Sequence, residues 1–277
     1  MKPKLFILSI ALFFGVAIFA GCQKTAPTIK DSKDVKITKL ALLHNEYLEN
    51  IISHYDFDSN ESKILKFKQA FLKSDLKGIS YQQKEKILRS YYHKSFKNSQ
   101  DSAIKIVNSN DLINKINSSK LSNKKLLIES IALATKEAKM NNMSCSKLND
   151  FVDSLETALS LHLGGDELVI LKTYGETLKA SAYFWFPKSV GGSGKGYSFL
   201  LKVQNTSSSK SKSMKDVNFE LPPLGAALVA DAASMSIGMV GVAISGAFLG
   251  PVGWGALVLV AGESAVNSGF SGLVTAG

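Results

Sequence analysis

The chain has 277 residues, 33 Lys plus Arg against 23 Asp plus Glu, and a formal net charge of +10. Nearly all of the positive charge is lysine, with Arg89 the only arginine. This argues against a nucleic-acid partner, because such proteins rely on arginine for bidentate contacts to bases and phosphates. The lysines read instead as a solvated surface that can face anionic lipid head groups.

Lys2 and Lys4 precede an apolar run over residues 5–19, the n-region and h-region of an export signal. The run ends in Phe19-Ala20-Gly21-Cys22. This junction resembles the bacterial lipobox, with phenylalanine where leucine is usual. The resemblance implies that residues 1–21 are a signal peptide, that Cys22 is diacylated, and that the mature N-terminus is anchored in membrane lipid, since two acyl chains hold a protein far more firmly than one. Gln23 stands where an aspartate is linked to inner-membrane retention. The expected location is therefore the outer membrane if the organism has one, and otherwise the outer face of the cell membrane. With Cys22 acylated, Cys145 has no intrachain disulfide partner and reads as a packed thiol. Residues 22–35 mix Thr, Pro, Lys and Asp and read as a tether.

Residues 36–186 are expected to form an all-α, irregular helical array. Ile37, Leu40, Leu43, Tyr47, Ile51 and Tyr55 make one apolar stripe. Asp58 with Glu61 has capping-box spacing before a helix carrying Ile64, Phe67, Phe71 and Leu72, which Gly78 should end. Ser80 with Gln83 is a second capping box, before Ile87, Leu88, Tyr91 and Tyr92. Short helical pieces are expected at 103–107 and 112–116. Longer helices follow at 126–140 and 146–163, the latter stopping at a left-handed Gly164-Gly165 cap. Residues 168–186 suit a helix or strands, with helical spacing favoured. The array over 36–163 is expected to fold without the rest of the chain.

Residues 187–220 comprise a glycine-rich loop at 189–198 and a Ser/Lys-rich linker at 206–215, read as a hinge. Residues 221–277 are the organising feature, because between Asp231 and Glu263 lie 31 residues without one ionisable side chain. Pro251 divides this run into arms at 232–250 and 252–262, an expected apolar helical hairpin turning at 250–253. Small residues recur at four-residue spacing through Gly238, then Gly246 and Gly250, and such rows let helix backbones pack closely. The segment 250–256 resembles the glycine-zipper stretches of bacterial outer-membrane lipoproteins and the tails of small membrane-active bacteriocins. That resemblance implies membrane contact and helix packing. Burial of the hairpin within the protein is the competing reading.

No motif calls for catalysis, a cofactor or a metal. Gly192-Ser193-Gly194-Lys195-Gly196 lacks the leading glycine and trailing Ser or Thr of a phosphate loop. Asp56, Asp58 and Asn60 begin a calcium-loop pattern that Glu61 and Phe67 do not continue. His44, His54, His93 and His162 are dispersed along the chain and are expected at helix boundaries. Gly-x-Ser-x-Gly does not occur. Two function classes stay open. One is a lipid-anchored, non-catalytic envelope module whose hairpin mediates membrane contact, homo-oligomerisation or binding to a protein partner. The other is a membrane-active effector whose hairpin inserts into a target bilayer.

Overall fold

The structure is a computed structural model, and it describes residues 32–91, 104–140, 143–207, 221–244 and 251–275. The described residues form ten α-helices and no strand. These are α1 (Ser32–Ser53), α2 (Lys63–Lys73), α3 (Tyr81–Tyr91), α4 (Ser109–Asn117), α5 (Lys124–Ala138), α6 (Cys145–Leu159), α7 (Gly165–Trp185), α8 (Lys195–Ser207), α9 (Leu221–Ile244) and α10 (Pro251–Thr275). A 3-10 turn, Lys188–Val190, joins α7 to α8. The all-α expectation therefore holds, and the segment that could have been strand is the 21-residue helix α7.

The helix ends follow local hydrogen bonding. The Ser80–Gln83 capping box forms in both directions, Ser80 N donating to Gln83 Oε1 at 2.7 Å and Gln83 N donating to Ser80 Oγ at 3.3 Å. Asp58 is not a cap. Asp56 Oδ1 accepts from the Asp58 and Ser59 amides in a local turn, and Ser62 caps α2 by accepting from Leu65 N. Gly78 does not end α2 either, which stops at Ser74; the glycine turns the chain toward α3 with φ 85°. The last carbonyls of α2 are served from elsewhere, because the buried Lys84 side chain donates to Leu72 O and Ser74 O, each at 2.7 Å. Residues 104–107 are not helical but a bridge residue followed by irregular chain. The helix expected to end in a left-handed glycine cap stops at Leu159 instead, and Gly164, with φ −73°, is the N-cap of α7. α8 opens inside the expected glycine-rich loop, at Lys195, and runs through Thr206 and Ser207 of the expected linker.

The described residues from Lys33 onward make one compact unit. At its centre the 24-residue α9 and the 25-residue α10 pack against each other, the most extensive pairing in the fold. α9 also lies along α7 and touches α4 and α5, while α10 meets α2, α3 and α8. The arms differ from their expected bounds. The first begins at Leu221, ahead of the double proline, and the second continues well past Glu263. Pro251 starts α10, where its missing amide costs nothing. Of the turn expected at 250–253, residues 251–253 are the first residues of α10, and Gly250 lies outside the described residues.

The hairpin and the helical array share a single core. Leu224, Leu228, Met235, Met239, Val240, Leu257, Val266, Phe270 and Leu273 are all fully buried. At ~1.5–3 kcal/mol for each such side chain, the burial of these nine is worth roughly 14–27 kcal/mol. That exceeds the net stability of ~5–15 kcal/mol typical of a folded domain. The separate array expected over 36–163 would lose the surface it packs on.

Candidate functional site

Asp231 sits midway along α9 and is the only charged residue in that helix. Because α9 is covered from several sides, the carboxylate has no route to water, and its side chain is fully buried. A buried carboxylate is costly unless it is paired and hydrogen-bonded. Three other helices supply the partners. From the end of α7, Trp185 Nε1 donates to Asp231 Oδ2 at 3.2 Å and is shared with Ser268 Oγ of α10 at 3.1 Å. From α1, His44 Nε2 lies 3.9 Å from Asp231 Oδ2, with both side chains at 0% exposure. Ser264 of α10 donates to the Asp231 backbone carbonyl at 3.0 Å. Burial pushes the Asp231 carboxyl above its ordinary range, while His44 and the Ser268, Ser181 and Trp185 groups pull the other way.

One turn away, Asn267 of α10 ties the hairpin to the 104–107 segment. Val107 N donates to Asn267 Oδ1 at 2.8 Å, and Asn267 Nδ2 donates to Val107 O at 3.1 Å and to Ala230 O at 3.0 Å. One side-chain amide thus satisfies both backbone groups of Val107, which is why 104–107 need not be helical.

A second cluster lies where α6 meets α7. Asp153, Glu156 and Glu176 bring carboxylate oxygens within 4.8 Å of one another. The Lys179 ammonium sits among them, 2.7 Å from Asp153 and 2.5 Å from Glu176. Glu156 lies against Gly175, where a Cβ would strike its carboxylate. Burial pushes the Glu156 carboxyl up to about 8; Lys179 opposes the shift and Glu176 adds to it. At neutral pH this is therefore a protonated acid beside an ion pair. The positive charge the cluster holds is the chain's own.

Comparison with family models, with characterised proteins and with solved structures finds no match.

Of the residues singled out from the sequence, Cys22, Gly246, Gly250 and His93 lie outside the described residues. Gly238 faces Val260 on the opposite arm, a Cβ there meeting both Val260 methyls at 2.5 Å. His44 is a core residue, contrary to its expected boundary position, whereas His54 and His162 are exposed. The three described histidines are not brought together in a metal-binding group. Cys145 is buried at the start of α6, and burial raises its thiol pKa. In the glycine-rich loop, Gly192 packs on the Phe186 backbone and Lys195 pairs with Glu49 at 2.5 Å; a helix rather than a strand precedes it. The His44–Asp231 pairing was missed, although its signals were present. His44 falls on the apolar rhythm of Leu40, Tyr47 and Ile51, and Asp231 interrupts a helix that has no other charge.

Proposed function

We propose that this chain is an exported, lipid-anchored envelope protein that works as a non-catalytic binding or structural module. Acylated Cys22 holds it to the membrane, and the hairpin serves as the centre of the fold. The anchor reading rests on the h-region and the Ala20-Gly21-Cys22 junction. The observation that favours a module over a free membrane segment is the polar wiring of the hairpin. Asp231, Ser264, Asn267 and Ser268 bond each other and residues of α7 and the 104–107 segment, so the apolar helices are built into the array. Contact with lipid or with a second copy then falls to the positions of the arms that are uncovered among the described residues, Gly241, Trp254, Gly255, Glu263 and Val274.

The test replaces Cys22. Cys22→Ser should yield an unprocessed precursor that lacks acyl mass and still carries residues 1–21. An unchanged mature N-terminus in the variant would overturn the anchor. A second reading, the membrane-active effector, draws support from Gly253–Val274, which is long and apolar enough to cross a bilayer. Dye release from anionic vesicles by the purified chain would favour that reading over the module.

A further inference from the structure

Asn45 fixes the protonation of its neighbour. Its Nδ2 donates to the Ala180 carbonyl at 2.7 Å, which leaves its Oδ1 facing His44 Nδ1 at 3.0 Å. An amide oxygen only accepts, so Nδ1 carries a hydrogen. The other ring nitrogen, Nε2, points toward Asp231, and neither it nor Asp231 Oδ1 has a hydrogen-bond partner among the described residues. Three proton counts are conceivable. With none between the two groups, an imidazole lone pair faces a bare carboxylate, and the site carries a buried negative charge. With two, an imidazolium stands beside a neutral acid, and the buried charge is positive. With one, the site is neutral whichever atom holds the proton, and only this count avoids burying a net charge.

We propose that His44 and Asp231 share a single titratable proton, and that the pair is a pH-sensitive latch seating the hairpin against α1 and α7. Among the described residues, His44 is the only ionisable partner acting on the Asp231 carboxyl. α7 presents Ser181 and Trp185 to the carboxylate, and α10 presents Ser264 and Ser268. On α1, Glu46 and Glu49 are exposed, and Glu263 of α10 is exposed as well. The charged residues of α4 and α5, the helices behind α9, are all exposed or half-buried. Lys66 and Lys84, on the helices that meet α10, donate to backbone carbonyls.

The sign of the linkage follows. In the unfolded chain the two groups titrate near ~3.9 and ~6.5. Above the upper value the folded pair holds one proton more than the unfolded chain, so stability falls as pH rises. Below the lower value the unfolded chain holds one more, so stability falls as pH drops. Each limb changes the folding equilibrium constant by up to about tenfold per pH unit. The apparent values belong to the pair rather than to either residue.

The experiment counts protons. Urea unfolding of the full chain in mild detergent at pH 8, with a dye reporting release, should liberate one proton more from the parent than from Asp231→Asn. The amide still offers an oxygen to Trp185 but removes the carboxyl that shares the proton with His44. The alkaline limb of the stability profile should flatten in the same variant. Independently, the imidazole nitrogen spectrum of the parent should show His44 protonated at Nδ1 throughout pH 5 to 8. Equal proton release from parent and variant overturns the proposal, as does a bare Nδ1 on His44. If Asp231→Asn does not fold, the nitrogen spectrum read together with the Asp231 carboxyl-carbon signal of the parent at pH 8 decides: one proton on His44 Nε2 or on the carboxyl supports the proposal, and none on either overturns it.

Discussion

Alanine at Gly238 tests whether close approach of the two arms shapes the core. A Cβ at this position would lie 2.5 Å from both methyls of Val260 and 3.0 Å from its Cβ. Valine is stiff at χ1, so Val260 cannot swing aside without leaving its rotamer. Overpacking of this kind costs ~1–3 kcal/mol. Against it stands the ~1 kcal/mol that alanine gains over glycine inside a helix. The net expectation for Gly238→Ala is a loss of about 1 kcal/mol, which in a chain of this size lowers Tm by roughly 2–4 °C. Gly241, on the same helix, has no atom within 4 Å of a built Cβ. There only the propensity gain applies, and Gly241→Ala should stabilise by about 0.5–1 kcal/mol. The decisive arm is the Val260→Ala background. With both methyls gone, Gly238→Ala should change sign and stabilise, because its new methyl fills the vacated space. Thermal or urea unfolding of the parent and the four variants reads all of this directly. If Gly238→Ala and Gly241→Ala shift stability alike, or if Gly238→Ala stays destabilising over Val260→Ala, close packing at Gly238 is not a constraint.

The remaining predictions concern polar groups. Ser80→Ala removes the acceptor for Gln83 N and should cost ~1 kcal/mol in unfolding free energy, confined to α3 by hydrogen exchange. Glu156 has its folded pKa raised to about 8, so the stability tied to its neutral form is present below the unfolded value of ~4.3 and lost as pH climbs toward 8. Glu156→Gln should therefore show a shallower loss of stability between pH 5 and pH 8 than the parent, and parallel profiles would refute that assignment. Asn267→Leu strands both backbone groups of Val107 and should cost ~2–4 kcal/mol, with faster exchange of the Val107 amide as its signature.

The helices were legible because their apolar periodicity is local. Ser80 and Gln83 cap as their spacing says, since both atoms of the box lie within four residues. Where local chemistry offered a competing bond, the reading slipped. Asp58 lost its role once Asp56 took its amide, and Ser62 was free to cap α2. Where the partner is distant, no window of sequence could have found it. Residues 104–107 are irregular rather than helical on account of Asn267, 160 positions later, and the last carbonyls of α2 are satisfied by Lys84 on the next helix. Gly164 reads as a helix stop yet serves as the start of α7, where the carboxylate of Glu167 turns back to hold the Ser122 and Asn123 amides.

The harder ambiguity is the hairpin, because 31 uncharged residues look the same whether a bilayer or a protein covers them. What separates the two cases is the set of polar side chains on those helices and where their hydrogen bonds go. Ser264, Asn267, Ser268 and Ser271 fall at i, i+3, i+4 and i+7 on one face of α10, and all four are buried. Asn267 bonds the 104–107 segment, Ser268 shares the Trp185 indole of α7, and Asp231 meets both Trp185 and His44. A hairpin drawn out of the array would give up these bonds at ~1–3 kcal/mol for each group left unpaired, and hydrocarbon offers nothing to replace them. Insertion would therefore have to bring compensating partners, either from the other arm or from a second copy. Protonation of Asp231 alone would not suffice, since Asn267 and Trp185 would still lack acceptors. The same polar row that ties the hairpin to its jacket thus sets the condition under which it could leave.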